Sequence, residues 1–312
     1  VLDLVGESQL LQDANSIVDY SGIGSLKRDQ QGTTNFYNYN YWSSPVGSNG
    51  VSYSLNNTLH DGLQPVQWTS EKNANPGTSP ITLSNFWLYL FENLPADSYA
   101  DWQSINENNS ISVGLGFTMK GSGAATATQN YVFVGKPNNG TIDNTISPNY
   151  QAVVGNPYPS AIDSHEFIRD NIPGGGGNPG STASIDGTLY YWEHYVSNLT
   201  HILEEYEGGY AAYNLTGGVS TVIPDGISGN GTPTKTPGRY VPVAQSFFVT
   251  ASPTGGTINF HNDQRVFVRE GSTSVFMEPN DFGNLNNRSA ENEEDDEEEI
   301  IQRVRIDFIS PT

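Results

Sequence analysis

Short apolar runs, each closed by a Gly, Pro or Asn turn, set the strongest limit on what this chain can fold into. YVFVGKPNNGTI (131–142) reads as a strand, a Lys-Pro-Asn-Asn-Gly turn and a second strand, and INFHNDQRVFV (258–268) has the same form. Similar runs recur at NYNYW (38–42), FWLYLF (86–91), SVGLGFTMKG (112–121), YQAVV (150–154), TLYYW (188–192), AQSFFVTA (244–251) and RVFVRE (265–270). Runs of this length, rich in Tyr, Phe and Val, are strand signals. Two stretches have helical spacing instead. IDSHEFIRDN (162–171) offers Asp163 or Ser164 as N-cap with Glu166 in the first turn. VSNLTHILEEYEGG (196–209) sets Val196, Leu199, Ile202, Leu203 and Tyr206 on one face, with Gly208 to stop it. The expected class is all-β: duplicated β-sandwich or jelly-roll-like halves with one or two short inserted helices.

The duplication is expected from five string pairs that keep their order. YNYNYWSSPVG (37–47) pairs with YQAVVGNPYPSAI (150–162), FWLYLFEN (86–93) with LYYWEHYV (189–196), and YADWQ (99–103) with YAAYN (210–214). LGFTMKG (115–121) pairs with QSFFVTA (245–251), and YVFVGKPNNG (131–140) with INFHNDQRVF (258–267). Any aromatic strand resembles another, so the weight lies in the order. The implied division is 1–148 and 149–280 as two β-rich halves, 281–299 as an acidic linker, and 300–312 as the start of a further strand or module.

Composition narrows the function. The net charge is −21, which repels nucleic-acid phosphate and anionic membrane surfaces. No apolar run approaches the roughly 20 residues that span a bilayer. Cysteine is absent, which removes disulfides, Cys-type zinc sites and thiol nucleophiles. The chain opens and closes in mid-pattern, with VLDLVGESQLLQ and RVRIDFISPT, as an internal piece of a longer protein would. Both segments could add a strand to flanking modules or to other copies.

Candidate chemistry is thin. His60, His165, His194, His201 and His261 form no HExxH or HxH pattern. No GxSxG nucleophile turn occurs. GGGGNPG (174–180) lacks the Lys-Ser/Thr of a phosphate loop. Glu92, Asp97, Asp101, Glu193, Glu204, Glu205 and Glu207 lie near aromatics, and a glycosidase would bring two of them together. A solvated acidic surface explains them as well. Trp42, Tyr191 and Trp192 are candidate sugar-stacking residues, with core packing as the alternative. Alternation along a strand would let Tyr39 and Tyr41 face the core while Trp42 faces out. The acidic run 291–299, with Glu294, Asp295, Asp296 and Glu297 at its centre, is a candidate Ca²⁺ site or a hydrated spacer.

Taken together, YNYWSSPVG, GFTMKG, YVFVGKPNNGTI, VVGNPYPSAID, LYYWEHY, GGYAAYNLTGG, TKTPGRYVPVAQSFFV and TINFHNDQRVF resemble a region common in large secreted and surface-exposed proteins of Bacteroidota. Such proteins are typically exported by the type IX secretion system, with this region upstream of a C-terminal sorting domain. The resemblance covers about residues 3–278. It departs at Ala244 or Ser246, where a Gly is usual, and at the acidic run, which lies outside the pattern. It implies an extracellular location more than any chemistry, since its recurring residues shape turns and cores. The expectation is a non-enzymatic structural or adhesion module, partnered by neighbouring modules or other copies. The alternative is a glycan-binding module of a polysaccharide-degrading protein. No cofactor is expected beyond the candidate Ca²⁺.

Overall fold

The computed structural model describes residues 1–96, 101–126, 128–194, 198–202, 205–222 and 231–270. Contacts divide the chain into 1–280 and 281–312. The second unit lies outside the described residues, and with it the expected linker and the strand at 300–312.

The fold is all-β. Its principal strands are β1 (Leu2–Leu4), β2 (Leu26–Thr33), β3 (Tyr39–Trp42), β4 (Tyr89–Leu90), β5 (Gln103–Ser104), β6 (Phe117–Lys120) and β7 (Thr128–Pro137). They continue with β8 (Ile142–Ile146), β9 (Tyr150–Gly155), β10 (Ile185–His194), β11 (Gly208–Asn214), β12 (Ser246–Ala251) and β13 (Gly256–Phe260). Among the described residues two α-helices form, α1 (Leu55–Thr58) and α2 (Ser164–Asn171). In α2 the Asp163 side chain caps the first turn by accepting from the His165 N–H at 2.9 Å.

The helix expected over 196–209 is not formed at 198–202, the part of it described before residue 205. Its polar and aromatic residues are drawn elsewhere. Asn198 Nδ2 donates to Asn38 Oδ1 at 2.9 Å, and Tyr206 donates its hydroxyl to the Tyr37 carbonyl at 2.8 Å. Bonds to the distant turn that precedes β3 override a local periodicity that was real but weak.

Two four-strand arrays share one order. The first runs β5-β4-β6-β3, and the second runs β11-β10-β12-β9 within a six-stranded sheet. Their registers correspond as well. Thr118 faces Tyr41 and Phe248 faces Val153, while Tyr89 faces Thr118 and Tyr190 faces Phe248. The ladders β2–β7 and β8–β13 match in the same way, with Gln30 opposite Tyr131 and Asn144 opposite Ile258. Across the sheet each array runs through the first, fourth, second and third of its strands in chain order. That order is not the Greek key from which jelly rolls are built; among the described residues the remaining strands form a further six-stranded sheet, which holds β1, β2 and β7, and several two- and three-stranded ones.

The arrays meet where β3 and β9 end. Trp42 bridges to Gln245 and Val154 to Leu115, and the Ser43 N–H donates to the Ala244 carbonyl at 2.8 Å as Gly155 N–H does to Gly114 at 3.0 Å. Between them lies the main core, with Trp42, Phe117, Met119, Tyr131, Phe133, Val154, Phe167, Tyr191, Phe247 and Phe260 all buried.

Candidate functional site

Alternation along the strands leaves a second face opposite the core. On β10, Leu189, Tyr191 and Glu193 turn inward, so Tyr190, Trp192 and His194 turn the other way. Tyr210 on β11, Phe248 on β12, Val153 on β9 and Tyr41 and Tyr39 on β3 join them, with Phe91 after β4 and Trp102 before β5. The result is a second aromatic cluster. Tyr41, Phe91, Val153 and Phe248 are its buried floor, and Tyr39, Trp102, Tyr190, Trp192 and Tyr210 stand half-buried around it. The rings pack mainly edge to face. Trp102 meets Phe248 at 5.7 Å and 88°, and Tyr210 meets Phe248 at 5.5 Å and 86°.

Of the three candidate stacking residues, only Trp192 lies on this face. Trp42 is 1 % exposed and Tyr191 is 3 % exposed, so neither offers a ring to a sugar. The expected orientation of β3 is reversed: Tyr41 faces the second cluster and Trp42 the core. Gly32 on the neighbouring ladder is the reason. A Cβ there would lie 2.6 Å from the Trp42 ring, so its absence opens the slot that Trp42 fills beside Tyr131.

At one end of the face sits Lys120, on β6. Its ammonium lies 3.6 Å from the centre of the Trp87 ring, 4.4 Å from Tyr39 and 5.0 Å from Tyr206. It also donates to the Tyr206 hydroxyl and, at 3.1 Å, to His201 Nδ1. Asn73 Oδ1, 2.6 Å from His201 Nε2, places the ring proton on Nε2 and leaves Nδ1 to accept. Among the described residues no carboxylate lies within ion-pair distance of Lys120. Burial lowers its pKa to about 7, against the pull of the three ring faces. His201 lies stacked on Trp87 at 4.7 Å, and burial followed by the Lys120 charge pushes it down to about 4.

Three other titratable candidates are spent on fastening. His194 accepts from the Tyr39 N–H at 3.0 Å and from Trp192 Nε1 at 2.9 Å, and burial above all drives it down to about 3. Glu193, 2 % exposed, accepts from the Thr221 hydroxyl and from the N–H groups of Thr234 and Lys235, pinning the chain at those residues. His165 Nε2 lies 2.8 Å from the Tyr213 hydroxyl. Asp97 and Glu204 lie outside the described residues, as do Glu294, Asp295, Asp296 and Glu297. Among the described residues no group of three or more His, Asp or Glu is gathered for a metal ion. The Lys120 cage and the Tyr41–Trp102–Tyr210 cluster were invisible in sequence. A lone Lys inside the apolar run GFTMKG was the available signal.

A family model described as a domain of unknown function (DUF8693) matches residues 1–297. No curated protein and no solved structure matches the chain.

Proposed function

The chain belongs to the DUF8693 family, a domain of unknown function, and we propose that it serves as a non-enzymatic structural and adhesion module of a large, exported surface protein. The observation that carries this reading is a clamp between the two flanking segments of the described fold. Gln9 Nε2 donates to the Val268 carbonyl at 2.6 Å, and the Glu270 N–H to Glu7 at 2.7 Å. Arg265 donates to the Leu10 carbonyl and to Gln12. Arg28, 2 % exposed, joins the Gly6 carbonyl to Glu270. A module set in a long chain receives load through its flanks. Tying them together keeps that load off the small sheets. The shared order of the two arrays fits tandem duplication of one sandwich-like unit, a compact way to lengthen such a spacer. The type IX resemblance supports the extracellular location.

Electron microscopy of the parent protein on its own cell surface, with and without a Ca²⁺ chelator, tests the reading. Filaments or a lattice are the expected result, and dissolution by the chelator would assign Ca²⁺ to the acidic run 291–299. Discrete monomers in both conditions would overturn the assembly role.

A second reading, glycan binding, is favoured by the half-exposed rings of Trp102, Tyr190, Trp192 and Tyr210. The charge of −21 points to a neutral glycan over a uronate or sulfated one. A glycan array on the wild type and on Trp102→Ala tests it. Retention of every hit by the variant would remove this face from the account.

A further inference from the structure

We propose that Tyr41 and Tyr210 form an oxidative cross-linking site, at which a one-electron oxidant joins the two rings as dityrosine and welds the first array to the second. Their hydroxyls lie 2.8 Å apart and share a hydrogen bond. The ring centres are 6.3 Å apart, with planes inclined by 57°. Dityrosine is a biaryl bonded through the carbons ortho to the hydroxyls. Its two oxygens sit side by side within hydrogen-bonding reach, and its rings are twisted about the new bond. The pair already holds the adjacent oxygens and the twist, so coupling requires only closure of the gap between rings.

A route for the oxidising equivalent is also present. Tyr41 is buried, but Trp192 lies nearly parallel to it at 6.4 Å and 11°, and Trp102 meets it edge-on at 5.9 Å. Both indoles are half-buried and reach the surface. Indole and phenol are the most readily oxidised side chains of a chain with no cysteine and two methionines. An electron removed from either indole can be replaced from Tyr41.

The chemistry balances as follows. Each phenol loses one electron and one proton, giving two phenoxyl radicals. Their ortho carbons form the C–C bond, and the two ortho hydrogens move to the oxygens to restore both aromatic rings. Two electrons and two protons leave, and a peroxide takes them up to give water. The link closes a loop across a separation of 169 residues. It supplies the covalent restraint that this composition cannot draw from disulfides.

The test uses the intact chain, photo-oxidised with tris(bipyridyl)ruthenium and persulfate, and reads monomer peptides by mass spectrometry. Oxidised Trp102 and Trp192 serve as the internal control for delivery. The expected result is a dominant intramolecular 41–210 peptide, dityrosine fluorescence and a raised melting temperature. Tyr41→Phe and Tyr210→Phe each remove that peptide and leave the indole oxidation. Cross-links confined to other tyrosines or to dimers would overturn the proposal. So would oxidised indoles with Tyr41 and Tyr210 unlinked in the wild type, whatever the variants do.

Discussion

Lys120 Nζ stands 3.6 Å above the centre of the Trp87 ring in a chain whose net charge is −21. A cation held by ring faces is stabilised by the aromatic quadrupole but loses its hydration. Desolvation prevails, and the folded pKa falls to about 7 from an unfolded 10.5. Between those values the unfolded chain holds more of this proton, so its contribution to stability rises with pH. Urea melts at pH 7, 8 and 9 should show the wild type gaining on Lys120→Met as pH rises, since the comparison cancels the groups that do not feel the Lys120 charge. Parallel curves would show that the rings repay the desolvation in full.

His194 works at the acid end. Its folded pKa of about 3 lies below the unfolded 6.5, so the stability it contributes is present above pH 6.5 and is lost as pH falls. One such group costs about 1.4 kcal/mol per pH unit within that window. His194→Gln, which keeps an acceptor for Tyr39 and Trp192, should flatten the decline between pH 6 and 4 while lowering stability at pH 7. An unchanged slope would move the acid sensitivity to other groups.

The equivalence of the arrays predicts opposite outcomes for two reciprocal substitutions. Ala244 (φ 62°) and Gly114 (φ 91°) sit 130 residues apart at matching turns, and both are left-handed. For Ala that conformation costs roughly 1–2 kcal/mol, and Gly gives back about half of it in chain entropy. Ala244→Gly should therefore stabilise by about 0.5–1 kcal/mol in denaturant melts. Gly114→Ala would set its Cβ 2.5 Å from Asn144 Nδ2, which donates to the Val113 carbonyl. It should cost about 2 kcal/mol or more. Gln30 makes the matching bond to the Val243 carbonyl in the other array at 2.8 Å.

Strand content and α2 could be read from the chain because each rests on local chemistry: short β-branched and aromatic runs between turns, and a capped amphipathic segment. Orientation could not be. Period-two alternation states that Tyr41 and Trp42 face opposite ways, but the choice between them belongs to Gly32 and Tyr131 on distant strands. The same holds for Lys120, whose cage draws Tyr39, Trp87 and the pair His201 and Tyr206 from three separated segments. The stretch at 198–202 shows the converse, where a helical spacing yields to bonds made by Asn198 and His201.

Trp42 and Trp192 separate core from surface within one experiment. Trp42 is enclosed by Gly32, Tyr131 and Phe133, so Trp42→Ala opens a cavity and should cost about 3–5 kcal/mol, with collapse of the melting transition. Trp192 is half-buried. It packs on Gly208, where a Cβ would lie 2.5 Å from its ring, and donates to His194. Trp192→Phe keeps most of that packing and removes the indole N–H, for an expected cost of about 1 kcal/mol. The fold should therefore survive in this variant, and binding can be read in it. A neutral-glycan affinity that falls in Trp192→Phe with little change in melting would place the ligand on the aromatic face. An affinity that survives in Trp192→Phe and Trp102→Ala alike would assign these rings to packing alone.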